Sequence, residues 1–201
     1  MSGRVSRVER LTTFVRPLDD PVPTPRSAGG LVLLCADADA LAEFHHDEPK
    51  ALTERKLAVL LARLGTDEQG FLVRADDGDW VGWCHLVLGR GPNSRIGHEL
   101  RLGADEAFLY DDATLPRHRR KGIHAFTIAR RLELAHEAGA ARAITTIANT
   151  NGASIASYRA LGFVPRSQLV HVPAFGRAVE VPLTPSWLRE VARAGRRRLG
   201  H

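Results

Sequence analysis

The chain has 201 residues, 44% of them hydrophobic and 25% charged. That suits one ordinary domain with a real core and excludes disorder as the dominant state. No run of 18 apolar residues occurs and the opening MSGRVSRVERL lacks an apolar signal core, so a cytoplasmic protein without membrane spans is expected. The net charge is +5; Lys50, Lys56 and Lys121 are lysines and the remaining basic residues are arginine. Such a balance admits an acidic partner, but Arg-for-Lys usage also follows from a GC-rich coding sequence. Two local clusters therefore carry more weight than the total, 117-RHRRK-121 and 196-RRR-198. Cys35 and Cys84 lack metal-ligand spacing and read as reduced core thiols.

In chain order, residues 7–17 form a strand-like segment, and the Pro/Gly-rich 18–30 form a loop. LVLLC at 31–35 reads as a buried strand. Asp37 or Asp39 can cap a helix over 38–45. Leucines at 52, 57, 60, 61 and 64 have helical spacing, which predicts a helix over 51–64 closed by Gly65. Strands are expected at 71–75 and 80–88, joined by the turn Asp76-Asp77-Gly78-Asp79. Extended pieces follow at 96–102 and 106–115. Gly122 opens a helix that Gly139 closes. A strand over 143–148, a helix over 152–161, strands near 163–172 and 178–183, and a basic amphipathic helix over 185–198 complete the series. This order predicts a mixed α/β fold with helices on both faces of the sheet.

The stretch 106-EAFLYDDATLPRHRRKGIHAF-126 carries chemistry. A β-type run ends at Pro116, and a tight basic loop feeds a helix at Gly122. A helix N-terminus offers unpaired N–H groups and partial positive charge. Glycine there lets a ligand approach the backbone closely, and Arg119, Arg120 and Lys121 add donors suited to phosphate. The loop thus reads as a pyrophosphate cradle or as a solvated basic turn. Its spacing matches neither the P-loop nor the dinucleotide fingerprint. A second stretch, 149-NTNGASIASYRALGFVP-165, places Asn151, Ser154 and Tyr158 along one helical face. Asn151 or Asn149 can cap that helix, and Gly162 ends it.

Together the two stretches resemble the GNAT superfamily of acyl-CoA N-acyltransferases. Pro116, Arg119 and Gly122 match its P-x-x-R-x-x-G-x-[GA] motif, and Asn151, Ser154, Tyr158, Gly162 and Phe163 match its N-x-x-[SA]-x-x-x-Y-x-x-x-G-F motif. The motifs span about 106–165, and the element order extends the resemblance to 31–183. The resemblance implies a mostly antiparallel central sheet with a splay between two central strands. It implies acetyl-CoA or another acyl-CoA as co-substrate, with the pyrophosphate at Arg119, Arg120, Lys121, Gly122, Ile123 and His124. The thioester would lie beside Thr114 and Leu115, and Asn151 and Ser154 belong to the same cofactor set. No metal is implied. His124 departs from the family's small residue at that position and would either touch a phosphate or point to solvent. Thr114 stands where Val is common, and a backbone role makes that compatible.

The implied reaction is attack of an amine on a thioester, with Tyr158 protonating the departing thiolate. Glu106, thirteen residues before Arg119, and Asp112 are the base candidates. On a regular strand Glu106, Phe108, Tyr110 and Asp112 share a face, and a bulge would break that parity. A backbone N–H near Thr114 or Leu115 could polarise the carbonyl. The acceptor is expected to be a primary amine of a small molecule or amino compound, bordered by 43-EFHHDEPK-50, whose His45 and His46 could act as base or ligand. Trp80 and Trp83 have opposite strand parity, so one of them would line the cleft. His85 reads as a satisfied structural histidine. Alternatives are a non-catalytic acyl-CoA- or partner-binding module, or a tRNA-directed enzyme using the basic tail with Arg189, Arg193, Arg196, Arg197 and Arg198. The expected division is an extension over 1–30, a catalytic domain over 31–183 and a basic helix over 184–201. The extension could cover the sheet edge or reach a neighbouring subunit in a homodimer.

Overall fold

A computed structural model describes residues 9–23, 29–89, 100, 102–172 and 177–183. The predicted piece at 96–102 falls almost wholly outside these residues, and the basic tail falls wholly outside them. The strands are β1 (Glu9–Pro17), β2 (Leu31–Cys35), β3 (Gln69–Ala75), β4 (Trp80–Leu88), β5 (Glu106–Thr114), β6 (Arg142–Ala148), β7 (Val164–Val172) and β8 (Arg177–Pro182). The helices are α1 (Ala38–Asp47), α2 (Glu54–Leu61), α3 (Ile123–Glu137) and α4 (Gly152–Ala160). The sheet is open and mostly antiparallel, with strand order β2-β3-β4-β5-β6-β1-β7-β8. No helix among the described residues is long and apolar enough to cross a membrane.

Contacts divide the chain into two compact units, one of them formed by 17–91 with 101–143. In this unit β2, β3, β4 and β5 pair in series. The turn predicted at Asp76–Asp79 joins β3 to β4, with Gly78 at φ 91°. Asp37 caps α1 by accepting from the Ala40 N–H at 2.8 Å. Thr53 caps α2, so that helix begins three residues later than its leucines suggested. Leu41, Phe44, Leu52 and Leu60 from the α1–α2 segment pack on Leu72, Trp80, Trp83 and Leu115. On the other sheet face Val73 and Val81 pack on Ile123 and Phe126 of α3. Helices thus cover both faces, as the element order predicted. Of the two expected core thiols, Cys84 is buried but Cys35 is exposed.

The second unit contains 1–16, 92–100 and 144–201. There β1 pairs antiparallel with β7, which pairs antiparallel with β8. In the strand order β1 stands between β6 and β7. The N-terminal strand is therefore an interior strand of the sheet and not a cover for its edge. The reason is burial: Leu11, Thr12, Thr13 and Phe14 are all buried, and their backbone polar groups need partners on both sides.

Candidate functional site

In the first unit, β5 runs into a single 3-10 turn (Pro116–His118) and then into α3. Arg120 and Gly122 both have left-handed backbones, φ 64° and 79°. Gly122 is the N-cap of α3 and supplies no side-chain cap, so the helix's first N–H groups have no side-chain acceptor of their own. Arg119, Arg120 and Lys121 are exposed around this turn. Arg119 Nε donates to the Thr114 carbonyl at 3.4 Å, tying the loop to the end of β5. Ile123 belongs to the core, so only its backbone is free to face a ligand. Arg117, by contrast, turns to Glu48, with Nη1 2.5 Å from its carboxylate, and links the loop to the segment after α1.

Burial and pairing decide what the β5 groups can do. Gly82 lies opposite Thr114, and a Cβ at Gly82 would stand 2.2 Å from the Ala113 carbonyl oxygen. The strands approach this closely because glycine is there. The Leu115 N–H donates to the Val81 carbonyl at 2.9 Å, so it is not available as the carbonyl-polarising donor considered from sequence.

The register then shifts: Tyr110 faces His85 and Ala113 faces Trp83. Two residues of β5, Asp111 and Asp112, oppose the single Cys84, and Asp111 has φ 51°. This is a bulge. It sends Asp112 to α3, where its carboxylate is 2.6 Å from Arg131 Nη1 and 3.2 Å from His124 Nε2. Arg131 is fully buried and also donates to the carbonyls of His85 and Thr127. Burial pushes the Asp112 carboxyl up, but Arg131 and His124 outweigh it and hold it far below the usual range. His124 therefore takes neither course expected of it. It turns inward to Asp112.

Asp111 goes to α2 instead. Both its oxygens accept from Lys56 Nζ, at 2.6 and 2.5 Å, and one also accepts from Arg63. Arg63 Nε is 3.2 Å from Glu68, which also accepts from the Tyr110 hydroxyl at 2.5 Å. Burial raises the Asp111 carboxyl, but Lys56 and Arg63 more than reverse it. His85 Nδ1 lies 3.9 Å from Asp111 and has no hydrogen-bond partner among the described residues, so the histidine is buried with that nitrogen unsatisfied there. Burial pushes its imidazolium down to about 4. Facing Gly70 allows this: a Cβ there would lie 3.4 Å from the His85 ring. Sequence reasoning missed Asp111, Lys56, Arg63 and Glu68; adjacent aspartates at 111 and 112 were the available signal.

Three other expectations change. Glu106 is buried at the opposite end of β5 from Thr114, roughly 25 Å away at strand rise, where its carboxylate accepts from the Gly103 N–H and pairs with Arg142. Trp80 and Trp83 share one face, not two, because β4 bulges opposite Val73 and Arg74; both contact Phe44. His45 Nδ1 donates to the Leu52 carbonyl at 2.6 Å and so closes the α1–α2 segment.

In the second unit Asn151 caps α4, its Oδ1 accepting from the Ser154 N–H at 3.2 Å. Asn149 accepts from the Thr12 hydroxyl instead. Tyr158 is 1% exposed and meets Phe163 edge-on at 4.9 Å.

A model of the acetyltransferase (GNAT) family matches residues 37–163, which include the Arg119–Gly122 turn, the β5 bulge and the Asn151–Tyr158 helix. The chain belongs to the GNAT family. Solved structures of similar fold include GCN5-related N-acetyltransferases from Kribbella flavida (20% identity, TM-score 0.54, covering 87% of this chain and 59% of that one) and Sphaerobacter thermophilus (13%, 0.59, 88% and 53%). A GNAT-family structure from Novosphingobium aromaticivorans is 22% identical, with a TM-score of 0.56 over 83% of this chain and 64% of that one. At such identities the likeness is one of fold, and this GNAT chain spans only half to two thirds of their lengths. No curated protein matches its sequence.

Proposed function

We propose that this GNAT chain moves an acetyl or other acyl group from acyl-CoA to a primary amine of a small molecule by direct attack. The observation that carries the reading is the turn at Arg119–Gly122. A left-handed glycine caps α3 without a side chain, beside three exposed cations, which fits a pyrophosphate. Acyl-CoA supplies the activated thioester. The amine lone pair forms the new C–N bond as the C–S bond breaks. Tyr158 gives its phenolic proton to the leaving sulfur and is reprotonated from water. An alkylammonium with pKa near 10.4 costs roughly 4 kcal/mol to deprotonate to the nucleophilic amine at neutral pH. Glu106 and Asp112 are both committed to arginines, and Glu106 is remote from Thr114, so we assign the amine's proton to a water relay.

Calorimetric titration with acetyl-CoA and longer acyl-CoAs tests the cradle. One-to-one binding, weakened roughly tenfold in Arg119→Ala through a lost charge-assisted contact, is expected. Absence of binding to any acyl-CoA overturns the reading. Thiol release with an amine panel then separates turnover from mere binding.

A further inference from the structure

We propose that the amine acceptor carries a carboxylate beside its amine, as an α-amino acid does, and that Asp111, Lys56 and Arg63 select it. This deepens the transferase reading and rests on it. Asp111 and Glu68 bring two negative charges to the α2 side of β5, and Lys56 and Arg63 bring two positive charges. Burial keeps His85 neutral among them. Among the described residues the ion pairs of this cluster balance two negative charges with two positive ones, so it offers no marked excess of negative charge to a polycation. The four side chains are 12–24% exposed, open enough for a small ligand and sheltered enough that their charges matter.

An amine without an acid group could reach Asp111 only by displacing Lys56 and leaving that ammonium without a counter-ion. A zwitterion exchanges partners one for one: its ammonium takes Asp111 and its carboxylate takes Lys56. The two cations are unequal in this exchange. Arg63 is held by Asp111 and Glu68, its guanidinium 5.2 Å from the Tyr110 ring centre. Lys56 is held by Asp111 and by the Trp83 ring at 5.6 Å, on a four-carbon stem with more rotatable bonds than the planar guanidinium fork. The unpartnered His85 Nδ1 supplies an independent pointer. It is 3% exposed and stands 3.9 Å from Asp111. A neutral imidazole can present that nitrogen as an acceptor, and an ammonium at Asp111 has three N–H groups to donate.

The test is thiol release by the full chain at saturating acetyl-CoA, with the L-amino acids, their methyl esters and spermidine as probes. At least one amino acid should show kcat/KM tenfold or more above its own ester and above spermidine. Lys56→Gln should erase that preference by raising the KM for the acid at least tenfold, while the KM for acetyl-CoA stays within twofold. Lys56→Arg should restore the preference. Esters or spermidine turned over as well as the acids overturn the proposal, as does an unchanged preference in Lys56→Gln. Acetyl-CoA binding without turnover of any probe overturns the amino-acid assignment alone. Failure to bind acetyl-CoA overturns the transferase reading beneath it.

Discussion

Tyr158 shows how one side chain can be named from sequence yet understood only from its surroundings. Its spacing from Asn151 places it on α4, and burial to 1% with an edge-on Phe163 holds the ring. A buried hydroxyl is fixed in direction, which suits the proton-donating role proposed for it. Tyr158→Phe is expected to lower kcat tenfold to a hundredfold while the KM for acetyl-CoA changes less than threefold. Steady-state kinetics on a responsive amine checks this, and equal losses in both constants would reduce Tyr158 to a packing residue. His124 teaches the opposite lesson. Its position in the motif suggested phosphate or solvent, but the buried carboxylate of Asp112 on the preceding strand recruits it.

At the scale of an element, the bulge in β5 matters most. One extra residue sends adjacent aspartates to opposite faces, Asp112 to α3 and Asp111 to α2. Alternation along a regular strand would have kept Asp112 with Tyr110; the sequence left a bulge open as the alternative, and the bulge is what forms. The Asp112–Arg131 pair then serves to dock α3 on the sheet. Removing one member strands a buried charge, so Arg131→Met should cost about 3–5 kcal/mol. The double variant Arg131→Met with Asp112→Asn should recover part of that loss. Urea denaturation checks both, and a single variant as stable as the parent would mean that the pair contributes nothing to docking.

For the whole molecule, acid stability follows from the same buried groups. His85 titrates near 6.5 when unfolded and near 4 when folded. The unfolded chain therefore binds more protons between these values, and stability rises with pH through that window. Stability is complete above about pH 6.5 and declines toward pH 4, by up to about 3 kcal/mol from this one group. The carboxyls of Asp111 and Asp112 are held below their ordinary values, so their contribution is present above pH 4 and is lost only on further acidification. Denaturant titrations at intervals from pH 7 to 4.5 should show this slope in the parent and a flatter one in His85→Gln. A slope unchanged by that substitution would move the effect to other groups.

The sequence by itself determined the element order over the described residues, the turn at Asp76–Asp79, a cap at Asp37 or Asp39 and another at Asn149 or Asn151, and the family through the Pro116–Gly122 and Asn151–Phe163 motifs. Those features are local: capping, helical spacing and left-handed glycines depend on residues a few positions apart. Only the tertiary structure decided that β1 lies between β6 and β7, that both tryptophans share a face, and that Asp111 rather than Glu106 joins the polar cluster on α2. Each of these depends on which strand pairs with which and on where a bulge shifts the register, and such pairings join residues far apart in the chain. Side-chain charge follows the same rule, because carboxylates that look alike in sequence acquire different roles from the arginines and lysines that the fold brings to them.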